Sequence, residues 1–265
     1  MNSIRKFSYP LLTLFKTQYS NMLEYRAEIA LWAISGIVPL FMLNIWTNND
    51  LNESINLTSN EITRYFLSAF LIRQFSVVWV VFTFEEDTLL GKISPYMLQP
   101  LHPFSRYFAQ HLAEQLTRLP FASIILIIFF IFNPESAWLP SPGILFISII
   151  STFMSFLIQF LMQSIIACIC FWTEKASSIE KLLFIPTLFL SGLLAPVNSF
   201  PEYIKSWVFL TPFPYLIDLP ANILSGNTNN FHYGLLIQFG WIFLFFIIFR
   251  IIWNTGSKKF TAMGL

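Results

Sequence analysis

The chain has 265 residues, of which 55% are hydrophobic and only 11% charged, and its formal net charge is +1. That balance excludes a disordered chain and argues against a soluble domain, because several runs reach the roughly 20 apolar residues that a bilayer requires. A near-neutral chain without a basic stripe interleaved with aromatics is also no nucleic-acid binder.

Residues 1–27 are amphipathic. Pro10 suits the first turn of a helix, and from there Leu12, Phe15, Tyr19 and Met22 recur at helical spacing, with Lys16, Thr17, Ser20 and Asn21 opposite. The pattern predicts a helix lying in the interface plane, its apolar face against membrane lipid. Arg5 and Lys6 are followed by only a short apolar patch, so no cleavable signal is expected. A first span over about 28–46 contains Pro39, which a membrane helix tolerates because neighbours can satisfy the freed carbonyl. The loop at 47–61 is rich in Asn and acidic residues and holds no Lys or Arg.

The second span, about 62–84, carries Arg64 near one end and Arg73 near its middle. A charge at mid-depth costs at least roughly 2.5 kcal/mol even on the mildest insertion scale. Arg73 is therefore expected to face protein or a water-filled space. Two roles stay open. It clamps carbonyls freed by Pro39 or Pro196, or Asp218; or it forms the wall of a pathway with Gln74 and the pair Gln159 and Gln163, which share a helical face at i, i+4. The second role would favour amphipathic cargo with an anionic head.

The longest polar interruption covers 85–118. Glu85, Glu86 and Asp87 close the second span, and a short apolar segment (Ile93, Met97, Leu98, Leu101) is bracketed by Gly91, Pro95, Pro100 and Pro103. Proline removes a backbone donor and clashes with the preceding turn. The expected result is one or two short helices across the membrane face, presenting Lys92, Gln99 and His102. A plain linker needs no such apolar content, so this loop is expected to touch another protein. A third span follows over about 119–132, with room to extend backwards through the amphipathic segment before it.

A cation-free turn at 133–142 leads to an unusually long fourth span, 143–172, and a brief charged loop at 173–181. The fifth run is apolar over 182–194 and is then broken by Pro196 and Pro201. A semi-apolar segment at 203–224 contains Pro212, Pro214 and Pro220. Irregular backbone at membrane depth survives only against protein or water, so a pair of short re-entrant or interfacial helices is expected here. A sixth span runs over about 234–253, and the tail carries Lys258 and Lys259. Cations fall in alternate connections, with only Lys205 on the opposite side, which puts both termini and the 85–118 loop in the cytoplasm.

Catalytic signatures are missing. No phosphate-binding loop is present, so ATP is not bound in the usual way. His102, His111 and His232 are all expected outside the spans and have no partner at i+4, which disfavours a metal site. Cys168 and Cys170 point about 200° apart on a helix and read as small apolar side chains. An enzyme is disfavoured. A transport subunit and a non-transporting membrane scaffold or assembly factor both survive.

The segment Glu85 to Pro103, EEDTLLGKISPYMLQPLHP, resembles the loop after the second span of the ABC type-2 (ABC-2) permeases. Ile93 stands at the first Leu of that family's run, and Met97 with Leu98 at the second. Leu190-Ser-Gly-Leu-Leu-Ala-Pro, Phe200-Pro and Leu210-Thr-Pro-Phe-Pro-Tyr-Leu-Ile-Asp218 are similar to its segment between spans five and six. Tyr25-Arg26, Tyr65-Phe66-Leu67 and Ile72-Arg73-Gln74 point to an uncharacterised bacterial-type subgroup.

The resemblance implies a single all-α transmembrane domain with six spans, an N-terminal interfacial helix and a re-entrant pair at 195–225. It implies a dimer with a second, identical or related, permease. It also implies two separate ATPase subunits that hold the ATP and Mg, and export of drugs, lipids or polysaccharides through the plasma (inner) membrane. The ATPase contact would rest on Gly91, Ile93, Met97, Leu98, Pro100 and Leu101, with charge from Glu85, Glu86 and Lys92. The outer gate would involve Gly192, Pro196, Pro201, Pro212, Pro214 and Asp218.

Overall fold

The computed structural model describes residues 2–48, 58–227 and 231–260, and these are helical with irregular connections. Much of the loop expected at 47–61, and part of the turn expected at 225–233, lie outside the described residues. Helix α1 (Asn2–Glu24) runs through Pro10, so it begins about two turns before that proline. It packs along α7 (Phe104–Phe132) and leaves Leu12 and Leu23 exposed.

The first span is two helices, α2 (Arg26–Ser35) and α3 (Val38–Asn48). The break falls at Gly36 rather than at Pro39, because a side chain crosses there. Gln74 Nε2 donates to Ala33 O at 3.0 Å, and a Cβ on Gly36 would stand only 2.5 Å from that nitrogen. Helix α4 (Ser59–Ser76) starts on a capping box in which Thr58 Oγ1 accepts from Glu61 N and the Glu61 carboxylate accepts from Thr58 N. Extended backbone at Val77 ends it, and α5 (Val80–Leu89) completes the second crossing.

A five-residue helix, α6 (Ile93–Met97), precedes α7, a single 29-residue helix through Pro120. The third span thus extends backwards, and 104–118, expected as part of a polar loop, is its first half. Helix α8 (Pro142–Cys168) has Pro142 at its start and Ser141 Oγ accepting from Ile144 N at 3.4 Å. Then come α9 (Ser177–Leu190), the short α10 (Glu202–Val208) and α11 (Asp218–Ser225), and α12 (Phe231–Gly256).

Among the described residues, five stretches are long and apolar enough to cross a membrane: Ala27–Thr47, Ser59–Leu89, Phe104–Phe132, Pro142–Phe171 and Phe231–Gly256. The fifth of the six expected spans is the exception. Helix α9 has 14 residues, about 21 Å at roughly 1.5 Å per residue, against a hydrocarbon core of about 30 Å. The proline-rich segment after it forms short helices, as its composition requires.

Helix α8 is the hub, packed against α12, α11, α5 and α4. Its buried Ser148, Ser151 and Ser155 allow close approach. Gln238 of α12, 0% exposed, locks this seam. Its Oε1 accepts from Ser151 Oγ at 3.0 Å, and its Nε2 donates to Ser155 Oγ at 3.1 Å and Tyr215 O at 2.8 Å. Two apolar clusters lie along the hub. Phe84, Ile93, Phe104, Phe171 and Trp253 gather at the α6 end, and Ile62, Phe66, Leu193, Tyr215 and Ala221 at the other.

Candidate functional site

The connection around α6 stands on an aromatic base. Phe104 lies 5.1 Å from Phe84, 4.9 Å from Phe249 and 5.5 Å from Trp253, centroid to centroid. Ile93 is 0% exposed within this cluster, so it cannot be a contact residue; it pins α6 down. The adjacent carboxylates do the same. Asp87 Oδ2 accepts from Tyr107 Oη at 2.8 Å, and its Oδ1 lies 3.5 Å from Lys92 Nζ. Glu85 reaches α9, accepting from Ser177 N at 2.7 Å and Ser177 Oγ at 2.9 Å, and so caps a helix remote in sequence.

What remains outside is small. Leu98 is 89% exposed, and Leu90, Lys92, Gln99 and Pro100 are exposed with it, as is Glu86. Met97 and Leu101 are half-buried beneath them. Gly91 has φ +71°, a left-handed turn that glycine adopts without strain, and it reverses the chain between α5 and α6. His102 packs 4.6 Å from Trp253, and burial, then the Arg250 charge, holds its imidazole below the usual range.

The four candidate pathway residues separate. Gln74 is bonded to Ala33 on α2. Gln163 Oε1 accepts from Val81 N at 3.3 Å, steadying the start of α5, while its Nε2 donates to Glu180 at 3.0 Å. Only Arg73 and Gln159 meet, in a cavity of about 70 Å³ that Glu180 and Ser191 also line. At roughly 30 Å³ per water, that is room for about two waters and for no cargo. A polar cluster the sequence reading missed lies nearby on α7. Arg118, 3% exposed, is ion-paired to Glu114 and is a like-charged neighbour of Arg73. His111, expected outside the spans, is buried in this cluster.

The connection between α9 and α12 is built round Asp218. Its Oδ1 accepts from Val197 N at 2.9 Å and lies 2.8 Å from Tyr65 Oη, and its Oδ2 accepts from Asn222 at 3.0 Å. Tyr65 Oη is also 2.8 Å from Gly192 O. Gly192 has φ +89°, and a Cβ there would overlap Tyr65 Oη and Asp218. Asp218 therefore clamps the connection to α4 and does not pair with Arg73. Pro196 and Pro214 flank the clamp, whereas Pro201 starts α10 on the surface.

The deciding comparison is with family models. The model of the ABC-2 family transporter proteins matches residues 62–264. The chain belongs to the ABC-2 transporter family. The match takes in both connections described above and most of the helical body. No curated protein sequence matches the chain. Family membership and the five long apolar helices make it a multi-pass membrane protein and a transporter permease. ABC-2 permeases are generally non-catalytic membrane subunits that work with an ABC ATPase.

Proposed function

We propose that this permease is the membrane subunit of an exporter that moves an amphipathic, lipid-like substrate out of the cytoplasm. ATP is bound with Mg and hydrolysed by a separate ATPase subunit, which docks on the connection around α6. The observation that carries this reading is the exposed apolar tip at Leu98, held on a buried aromatic base between two spans. A tip so mounted can pass a push into α5 and α7, because neither side of it is free to give. The cation pattern supports a cytoplasmic tip and cytoplasmic termini in the plasma (inner) membrane.

The 70 Å³ cavity at Arg73 supports a pathway formed between two copies of the permease, or with a related one, rather than inside one chain. Helix α9 and the Asp218 clamp then make the sixth crossing and the outer gate, with 195–225 re-entrant from the outer face. Co-expression with an ATPase encoded beside it, reconstitution into vesicles and assay of fluorescent-lipid efflux test the reading. ATP-dependent efflux that needs both subunits is expected; retention of a stable, ATPase-free permease with no efflux contradicts it. Reporters fused after Gly91 and after Trp138 should report inside and outside respectively.

A further inference from the structure

A second cavity, of about 530 Å³, opens at the elbow where α1 meets α2, and its far walls are α5 and α7. Tyr25, Trp32, Trp79 and Phe82 line it. Trp32 and Trp79 stand 5.5 Å apart at 50°, and Trp79 and Phe82 6.4 Å apart at 55°. Both pairs are tilted ring contacts, and all of these rings line the cavity. Two carboxylates complete the lining. Glu28 holds the mouth, its Oε1 accepting from Trp32 Nε1 at 3.4 Å, and Glu114 lies opposite on α7. Among the described residues, no Lys or Arg lines the cavity.

The inner wall carries a further sign of an occupant. His111 is 2% exposed and lines this cavity, yet neither ring nitrogen has a hydrogen-bond partner. Its Nδ1 lies 3.4 Å from Glu114 Oε2, while Glu114 Oε1 is taken by Arg118. Buried polar groups are nearly always partnered; Nδ1 has the Glu114 carboxylate at ion-pair distance, so Nε2 is the atom short of a partner. Aromatic faces and carboxylates attract one chemistry in common. Ring quadrupoles draw organic cations, the Glu28 carboxylate neutralises them while Glu114 already serves Arg118, and anions are repelled by rings and carboxylate alike. A hard metal ion would instead need several oxygens at one point.

We propose that this cavity binds an organic cation with apolar substituents. Its volume lies in the range of small-molecule sites, about 300–1,000 Å³. The site stands apart from the transport reading, because its occupancy needs neither ATP nor an ATPase.

The test is equilibrium binding of radiolabelled tetraphenylphosphonium to the full-length permease in lipid nanodiscs, with empty nanodiscs as the blank. Tetraphenylborate, the same shape with opposite charge, is titrated in separate samples, since the two ions mixed together would pair and precipitate. Saturable binding of the cation and no saturable binding of the anion are expected. Glu28→Gln should weaken it about tenfold, and Trp32→Leu by a similar factor. Glu28 and Trp32 are exposed, so neither variant endangers the fold. Binding that never saturates, equally tight saturable binding of tetraphenylborate, or unchanged affinity in both variants overturns the proposal. Nanodiscs of phosphatidylglycerol and of phosphatidylcholine separate the sources. Competition by phosphatidylcholine supports the site and assigns it to a lipid head group, and equal affinity supports it as a site for a free cation.

Discussion

The connections at 90–103 and 191–217 are both proline-rich, both follow a helix, and both carry apolar residues beside a carboxylate. They are built in opposite senses. The first keeps its anchors inside and its tip outside: Ile93 and Asp87 are buried, and Leu98 stands free. The second keeps its centre inside, with Leu193, Val197, Tyr215 and Asp218 buried about one clamp. A connection that receives a partner needs a rigid base and an open top. One that closes a path needs a locked interior. In both, the buried carboxylate is a tether: Asp87 holds Tyr107, and Asp218 holds Val197 and Tyr65.

The largest effect is expected where the second connection is tightest. Gly192→Ala puts a side chain into the space of Tyr65 and Asp218 at a φ of +89°. The left-handed conformation alone costs about 1–2 kcal/mol, and with the overlap the total should reach roughly 3 kcal/mol or more. The unfolding midpoint in detergent checks it; an unchanged midpoint would break the locked-interior half of the comparison. Asp218→Ala comes next. It orphans Val197 N, at about 1–3 kcal/mol for a buried group left without a partner, while Tyr65 Oη keeps Gly192 O.

A smaller effect sharpens the other half. Glu85→Ala removes the cap from α9 and should lower stability by about 1 kcal/mol. Glu86→Ala, at the exposed neighbour, should stay within about 0.5 kcal/mol. Equal midpoints for the two variants would mean that Glu85 is a surface charge after all.

Much of the fold was legible because a bilayer imposes length. The apolar runs at 28–46, 62–84, 143–172 and 234–253 each lie within, or nearly coincide with, a crossing helix or helix pair. The fifth run was harder, since 182–194 is apolar enough to suggest a span but α9 is only 14 residues long. One helix break was not foreseen because its cause is tertiary. Pro39 reads as tolerated in a single span, yet the chain breaks at Gly36, where Gln74 arrives from another helix. The extent of α7 was hidden by the polar face of 104–118, which covers α1 and other helices rather than water.

The candidate sites were legible in place but not in role. Leu98, Lys92 and Pro100 were found as exposed residues, while Ile93, Glu85 and Asp87 turn inward to partners far along the chain. Asp218 looked unpaired in the sequence because Tyr65 is 153 residues away. Nothing in local spacing joins Glu28, Trp79 and His111, which only the folded bundle brings to one cavity.

The central claim is that the tip at Leu98 couples the permease to its ATPase. Leu98→Asp should leave stability within about 0.5 kcal/mol, since the side chain is 89% exposed and touches no core cluster. Truncating a central apolar anchor of an interface costs on the order of 2 kcal/mol or more, so ATPase association and ATP-driven efflux should both fall sharply in reconstituted vesicles. An inserted, stable Leu98→Asp permease that still binds its ATPase and exports at the parent rate would contradict the account.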